Sequence, residues 1–168
     1  LFRPLLSLAQ SVMDELDASR SEPLIRVVGI CGQTEEAVAE AAYAADKGFH
    51  TGLLNLSAMR DADDAELAAH CQAVAKVLPV FGFYLQASVG GRPLPYSFWR
   101  RFAEVDNVVA VKIAAFNRYQ TIDVVRALAE AGRDDITLYT GNDDNIAADL
   151  VTPFRFVADG KLVERRCV

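Results

Sequence analysis

The stretch VVAVKIAAFN, residues 108–117, places one lysine inside an otherwise apolar run that is typical of a buried β-strand. Moving an ammonium group out of water costs on the order of several kcal/mol unless the group is paired or loses its proton. Lys112 is therefore either a compensated structural residue or a reactive amine. The surrounding sequence bears on which of the two it is.

The lysine strand is one of five short apolar runs, and a helical pattern follows each of them. Equivalent strand positions recur every 26–28 residues, the length of one βα unit, which predicts parallel strands with right-handed crossovers. Their near-continuous apolar character predicts a sheet buried on both faces. The predicted strands are LIRVVGIC (24–31), TGLLNL (51–56), PVFGFYL (79–85), NVVAVKI (107–113) and ITLYTG (136–141). The predicted helices cover about 34–47, 63–77, 95–104, 118–131 and 143–150, with Gly48 and Gly132 as stops and a further helix at the start of the chain.

Two architectures share this βα pattern. A doubly wound sheet of five strands fits the length as it stands, whereas a (β/α)8 TIM barrel needs about 250 residues. Periodicity alone does not choose between them. The tail PFRFVADGKLVERR predicts a β-hairpin around Asp159 and Gly160, as an excursion before another core element. The chain has no initiator Met, opens inside a helical pattern and stops abruptly after Arg165 and Arg166, so we expect residues 1–168 to be a single domain that is incomplete at both ends.

Composition excludes several classes of function. The 168 residues are 52% hydrophobic and 24% charged, which predicts a folded domain, and no apolar run is long enough to suggest a membrane span. The net charge of −6 and scattered Lys and Arg residues argue against a nucleic-acid partner. Cys31, Cys71 and Cys167 are odd in number and contain no CxxC, as expected for reduced thiols in a cytoplasmic protein.

In either architecture the chemistry lies at the carboxyl ends of the strands, where the sequence has both an amine and a phenol. A lysine buried at a strand end can act as a nucleophile and form a Schiff base with a carbonyl, and a neighbouring tyrosine can transfer the protons. These two residues are Lys112 and Tyr84. The alternative is that Lys112 is structural and pairs with an acid such as Asp143.

Other candidate motifs point to weaker roles. GNDDN, residues 141–145, has the carboxylates of a metal site, but helix capping is the better interpretation, and we predict no metal. His50 and His70 are too few and too dispersed for a zinc cluster. Arg92, beside a glycine pair, is a candidate for binding a substrate carboxylate.

The order of three segments resembles the dihydrodipicolinate synthase and N-acetylneuraminate lyase family of class I aldolase barrels. The segments are FYLQASVGG, NVVAVKIAA and LYTGNDDN, and the resemblance covers about residues 24–150, equivalent to strands three to seven of eight. The resemblance implies a TIM barrel in which Tyr84 closes the fifth strand, Lys112 closes the sixth as the Schiff-base lysine, and Gly141 with Asp143 follows the seventh. The spacing of 28 residues between Tyr84 and Lys112 matches the spacing between the family's tyrosine and lysine without a gap.

The sequence also departs from that family. After the fourth strand it reads LNLSAMRD where dihydrodipicolinate-forming members have a tyrosine pair, and the family's carboxylate-binding arginine falls on Val89, with Arg92 three positions later. The acidic residue that often follows the family's lysine is Ile113 here. These differences argue for a substrate outside lysine biosynthesis. The expected substrate-binding residues are Arg92, Gly141, Asn142, Asp143 and Asn55.

The resemblance implies a Schiff-base lyase or aldolase that acts on a 2-oxo acid or a sugar-derived keto acid, needs no cofactor and forms a homo-oligomer. The competing hypothesis is a barrel whose activity is altered or lost and which serves as a small-molecule binding or structural protein. The expected geometry of an active enzyme is specific. Tyr84 and Lys112, on adjacent parallel strands, should point into the same interior, with hydroxyl and amine a few ångströms apart.

Overall fold

Five parallel strands lie side by side in the order in which they occur in the sequence. This order is the arrangement within a barrel and differs from a doubly wound sheet, where the strand order reverses at a switch point. In the computed structural model, which describes all of residues 1–168, the strands are β1 (Val27–Ile30), β2 (Thr51–Leu54), β3 (Val80–Leu85), β4 (Val108–Ala114) and β5 (Thr137–Thr140). The five predicted strands and their parallel pairing are confirmed.

The predicted helices are confirmed as well: one opens the chain, and each of the others follows a strand of the sheet. They are α1 (Phe2–Asp17), α2 (Thr34–Asp46), α3 (Asp64–Ala75), α4 (Tyr96–Phe102), α5 (Arg118–Glu130) and α6 (Ile146–Val151). Gly48 and Gly132 follow α2 and α5 with positive φ angles of 75° and 66°, the left-handed conformation in which glycine ends a helix. No helix combines the length and the apolarity needed to cross a bilayer.

Local hydrogen bonds explain where α3 and α5 begin. The Asp63 carboxylate accepts hydrogen bonds from the backbone N–H groups of Ala65 and Glu66, and the Glu66 carboxylate accepts one from the Asp63 N–H. This reciprocal capping box accounts for the acidic run before α3. Asn117 caps α5 by accepting hydrogen bonds from two N–H groups of its first turn.

The predicted hairpin is also present. Strands β6 (Phe154–Ala158) and β7 (Lys161–Arg165) pair antiparallel around Asp159 and Gly160, both of which have positive φ. This is the backbone conformation that a two-residue hairpin turn requires. The chain then returns to the sheet, where the Val168 N–H donates to the Leu138 carbonyl and the Thr140 N–H donates to the Val168 carbonyl.

The two faces of the sheet differ in burial. The face that packs on the helices is closed and carries the hydrophobic core. The opposite face, called the inner face below, is only partly covered, so the prediction of a sheet buried on both faces is wrong for this chain. Core-facing side chains include Val28, Ile30, Leu54, Val80, Val111, Ile113 and Leu138, whereas Val27, Phe81, Phe83, Lys112 and Tyr139 lie on the inner face.

The pairing of β3 with β4 contains a β-bulge. Val80 pairs with Val108, but the next residue of β3, Phe81, pairs with Ala110, so Val109 is an extra residue on β4. A one-residue insertion reverses the face to which every following side chain points. Val108 is buried on the core side, and beyond the bulge Ala110 and Lys112 lie on the inner face.

Gly82 allows α4 to pack against the sheet. A Cβ atom at Gly82 would lie 2.7 Å from Cζ of Phe102, a fully buried ring of α4, and 3.4 Å from Cγ2 of Val111. Because the ring is held by the aromatic side chains around it, it has little room to withdraw.

We therefore expect Gly82→Ala to lower the free energy of unfolding by about 1–3 kcal/mol, the usual cost of overpacking a core. Gly29→Ala is the matched control, since Gly29 is also in an extended strand but has no atom within 4 Å of the added methyl group. The control should be neutral or stabilise the protein by up to about 1 kcal/mol. Urea unfolding followed by circular dichroism measures both values, and equal effects of the two substitutions would contradict this packing analysis.

Candidate active site

Lys112 projects from the inner face of the sheet near the carboxyl end of β4. Its Cα pairs in register with Phe83 on β3 and with Tyr139 on β5, and the inner-face neighbours along its own strand are the small residues Ala110 and Ala114. The amine Nζ lies 5.2 Å from the centroid of the Phe83 ring, over its face. This distance is within the range of a cation–π interaction.

No acid compensates Lys112. The lysine takes part in none of the ion pairs or side-chain hydrogen bonds of the structure, and Asp143 is exposed and forms no ion pair. The structural alternative, in which Lys112 pairs with an acid such as Asp143, thus finds no partner among residues 1–168. The side chain is half-buried, so part of its hydration is retained in place of a counter-ion.

Gly141 lies directly against the lysine side chain. Its N–H donates to the carbonyl of Ile113 at 2.7 Å, which ties the end of β5 to β4. A Cβ atom at Gly141 would lie 3.0 Å from Cε of Lys112 and 3.1 Å from Cβ of Ala114. The absence of a side chain thus lets the backbone after β5 approach the lysine closely.

Tyr84 does not share the interior with Lys112, so the predicted pair is wrong. Its ring is buried on the helix side of β3, with its centroid 5.5 Å from that of Trp99 in α4. Its hydroxyl accepts a hydrogen bond from the Leu94 N–H at 3.0 Å. Burial raises the pKa of Tyr84, while the Leu94 hydrogen bond opposes that shift.

The β4 bulge explains this error. The spacing of 28 residues puts Tyr84 opposite Lys112 only if the two strands pair without interruption, as Val80 and Val108 do. Beyond the bulge the pairing offset becomes 29 residues, so Phe83 lies opposite Lys112, and Tyr84 lies opposite Ile113 on the other face. Nothing in the local sequence indicates the extra residue.

Asn55 and Arg92 lie on the same side of the sheet as Phe83 and line one small depression with it. Arg92 Nη1 donates to the carbonyls of Met59 and Ala62, at 2.6 and 2.9 Å, and so joins the loops after β2 and β3. The Asn55 side-chain oxygen accepts hydrogen bonds from the Ser57 N–H and hydroxyl. Both predicted substrate-binding residues are thus partly engaged within the chain.

The side chain of Asn142 has a structural role that was not predicted from the sequence. Its side chain is buried, donating to the Thr121 hydroxyl and the Asp149 carboxylate and accepting from the Phe116 N–H at 2.9 Å. These bonds leave no donor for a substrate, which corrects the prediction that Asn142 binds one. They hold the loop after β4, where Phe116 has a positive φ of 52°.

Asp149 is the centre of this buried cluster and was not predicted. It is fully buried, pairs with Arg118 and accepts hydrogen bonds from Thr140 and Asn142. Asn145 occupies the N-cap position of α6 but makes no capping hydrogen bond and instead donates to Asp149. This residue therefore does not fulfil the capping role expected of GNDDN. The sequence contained one signal for this buried acid: it is the single acidic residue within the otherwise apolar segment IAADLV.

A cleft of about 830 Å³ lies elsewhere, at the amino ends of α2 and α3. His70 contributes to its wall, donating or accepting a hydrogen bond with the Thr34 hydroxyl through Nδ1, and burial lowers the pKa of this histidine. The cleft has no lysine or cysteine nucleophile. We place the candidate active site at Lys112 because covalent chemistry depends on the reactive amine and not on cavity size. No group of three or more His, Cys, Asp or Glu side chains in the structure could hold a metal ion.

The comparisons with known proteins agree with this architecture. The chain is 33% identical over 122 residues to the 4-hydroxy-tetrahydrodipicolinate synthase of Nostoc sp. (strain PCC 7120), a match that covers 67% of this chain and 42% of that protein. The crystal structure of dihydrodipicolinate synthase from Thermotoga maritima superposes with a TM-score of 0.69 at 20% identity, over 86% of this chain and 47% of that one. The chain thus spans less than half the length of these relatives.

A second solved structure shows the same fold. It is the chloride-inhibited dihydrodipicolinate synthase from Acinetobacter baumannii complexed with pyruvate, with a TM-score of 0.66 and 21% identity over 84% of this chain and 48% of that one. At these identities the likeness establishes the TIM-barrel fold, of which this chain forms five consecutive strands. Residues 7–153 match the family described as the dihydrodipicolinate synthetase family. The chain therefore belongs to the dihydrodipicolinate synthetase family.

Proposed function

We propose that the protein is a lyase or aldolase that forms a Schiff base between Lys112 and a 2-oxo acid. The observation that carries the proposal is an amine on the inner face at the carboxyl end of β4, with no acid to hold it as an ion pair. Family membership supports lyase chemistry, and the pyruvate bound to the Acinetobacter enzyme supports a small keto acid as substrate.

The reaction begins with attack of the neutral Lys112 amine on the ketone carbon. The carbonyl oxygen leaves as water, and the new C=N bond is protonated at nitrogen. This cation accepts the electron pair released when a bond next to the former carbonyl carbon breaks, or supplies the enamine that forms such a bond. The imine is itself the electron sink, so the proposed reaction requires no cofactor.

The residues around the amine suggest how a substrate would lie. Phe83 and Gly141 flank the nitrogen and its side chain, and Asn55 with Arg92 lies beside Phe83. Because Arg92 already donates Nη1 to two carbonyls, only the remainder of its guanidinium group is free for a carboxylate. Asp143 remains a proposed substrate contact, since it is exposed after β5.

A second candidate is a barrel whose activity is altered or lost. The observation that favours it is the position of Tyr84, which faces α4 and leaves no phenol of β3 beside the amine. Such a protein would still bind a small molecule on the inner face but would form no covalent adduct.

Borohydride trapping separates the two candidates. Incubation with pyruvate and borohydride should reduce the imine and leave a carboxyethyl group on Lys112, which peptide mass spectrometry locates. Lys47 and Lys76, at the ends of α2 and α3, are internal controls and should stay unmodified. Lys112→Arg should abolish the adduct and lower turnover by about 10³-fold or more, because guanidinium is not a nucleophile. An unmodified Lys112 across a panel of 2-oxo acids would contradict the enzyme proposal.

The orientation of Tyr84 leads to a separate expectation. Tyr84→Phe should lower the free energy of unfolding by about 1–2 kcal/mol, because it leaves the Leu94 N–H without its acceptor. The rate of imine trapping should change by less than about twofold, since the phenol does not reach the inner face. Denaturant unfolding and the trapping rate with pyruvate provide the two measurements. A tenfold slower trapping rate at unchanged stability would restore a role for Tyr84 in proton transfer.

We also propose that the protein is a cytoplasmic homo-oligomer. Its three cysteines are free thiols, as expected in a reducing compartment. Membership of the dihydrodipicolinate synthetase family supports self-association. Sedimentation velocity should therefore show an oligomer for the wild-type protein. A wild-type monomer at micromolar concentration would contradict the proposal.

A further inference from the structure

The positively charged forms of Lys112, the ammonium ion and the protonated imine, would both lie over the ring of Phe83. Nζ lies 5.2 Å from the centroid of Phe83 and over the ring face, and no carboxylate lies within ion-pairing distance of the amine. We propose that Phe83 is a catalytic residue that stabilises the protonated imine through its ring face. The inference rests on the Schiff-base function proposed above and adds a residue that acts on the reacting nitrogen.

The electrostatic quadrupole of the Phe83 ring accounts for its proposed role in stabilising the imine. The face of an aromatic ring is the negative end of its quadrupole and attracts a cation within about 6 Å, whereas a neutral amine gains little. Imine formation converts neutral Nζ into a cation at the same atom. The contact already present in the free protein therefore becomes stronger as the reaction proceeds, which is the condition for stabilising a product or transition state over the ground state.

A ring also differs usefully from a carboxylate. An acid in contact with the amine would hold it as an ammonium ion, because opposite charges favour the protonated, non-nucleophilic form. The weaker attraction of a ring lets the amine lose its proton and still supports the positive charge that develops later. The site thus meets both requirements of the reaction with one uncharged side chain.

The fold holds the ring and the nitrogen in this relation. Phe83 and Lys112 are in register on adjacent strands, and Gly141 confines the lysine chain from the side of β5. The titratable neighbour in register is Tyr139 on β5, while Phe83 and Leu85 on β3 and Ala114 on β4 are uncharged. Tyr139 is unchanged in every variant below.

Replacing Phe83 with mono-, di- and trifluorinated phenylalanine tests the proposal, because each fluorine weakens the ring quadrupole with little change in shape. The readout is the fraction of protein present as imine with pyruvate, measured by borohydride trapping and mass spectrometry. The pH dependence of the imine fraction gives an equilibrium constant referred to the neutral amine, the ketone and a proton, in which only the product carries the positive charge. This constant should fall in steps with each fluorine, by about two- to fivefold over the series. Wherever the reactant amine is itself an ammonium ion, reactant and product lose the same attraction, so the uncorrected imine fraction should change much less.

The same substitutions at Phe81 are the matched control. Phe81 lies on the same face of β3, but its ring packs against Tyr139 at 5.2 Å, and it forms no cation–π contact with Nζ. Fluorination at Phe81 should leave this equilibrium constant unchanged. A flat series at Phe83, or equal trends at the two positions, would overturn the role of Phe83 while leaving the Schiff base intact. Failure of the wild-type protein to form an adduct with any 2-oxo acid would instead overturn the proposed function, and the role of Phe83 with it.

Discussion

The bulge at Val109 is the constraint on which the candidate site depends. In an uninterrupted parallel pair, Lys112 would follow Val108 and Ala110 onto the helix side of the sheet, where an ammonium group would meet the apolar core. The extra residue shifts the pairing register of the remainder of β4 by one position, so its side chains point to the opposite face. It thereby brings Lys112 to the inner face and leaves Ile113 in the core. One insertion both removes a burial penalty and exposes the amine.

The bulge also selects the aromatic neighbour of the amine. Because β3 itself continues without interruption, Tyr84 stays on the helix side with Trp99, and Phe83 takes the place opposite Lys112. A ring without a hydroxyl group can attract a cation but cannot transfer a proton. Proton transfer in the proposed reaction therefore falls to the substrate, to water or to another group on the inner face. Tyr139 is the phenol in register with the lysine on that face.

The loops at the carboxyl ends are held by polar side chains that form hydrogen bonds within the chain. The cluster around Asp149 uses Arg118, Thr140 and Asn142 to fix the loops after β4 and β5, and Arg92 joins the loops after β2 and β3. Fully paired buried polar networks restrict a site to one geometry, because any displacement leaves a buried group unsatisfied. Around the lysine itself, the contacts are the Phe83 ring and the backbone at Gly141.

The sequence by itself determined the elements, their parallel order and the lysine. Hydrophobic periodicity, helix-ending glycines and the Asp–Gly turn are local signals, and each reports on the backbone within a few residues of itself. The order of motifs also indicated the family and thus the barrel. Only the tertiary structure decided which side chains meet: Phe83 and not Tyr84 beside Lys112, Asn142 within a buried cluster, and Arg92 between two loops. The physical reason is that the face of the sheet to which a strand side chain points depends on strand register and on pairing partners distant in sequence. A single bulged residue reverses the face without changing the local pattern of hydrophobicity.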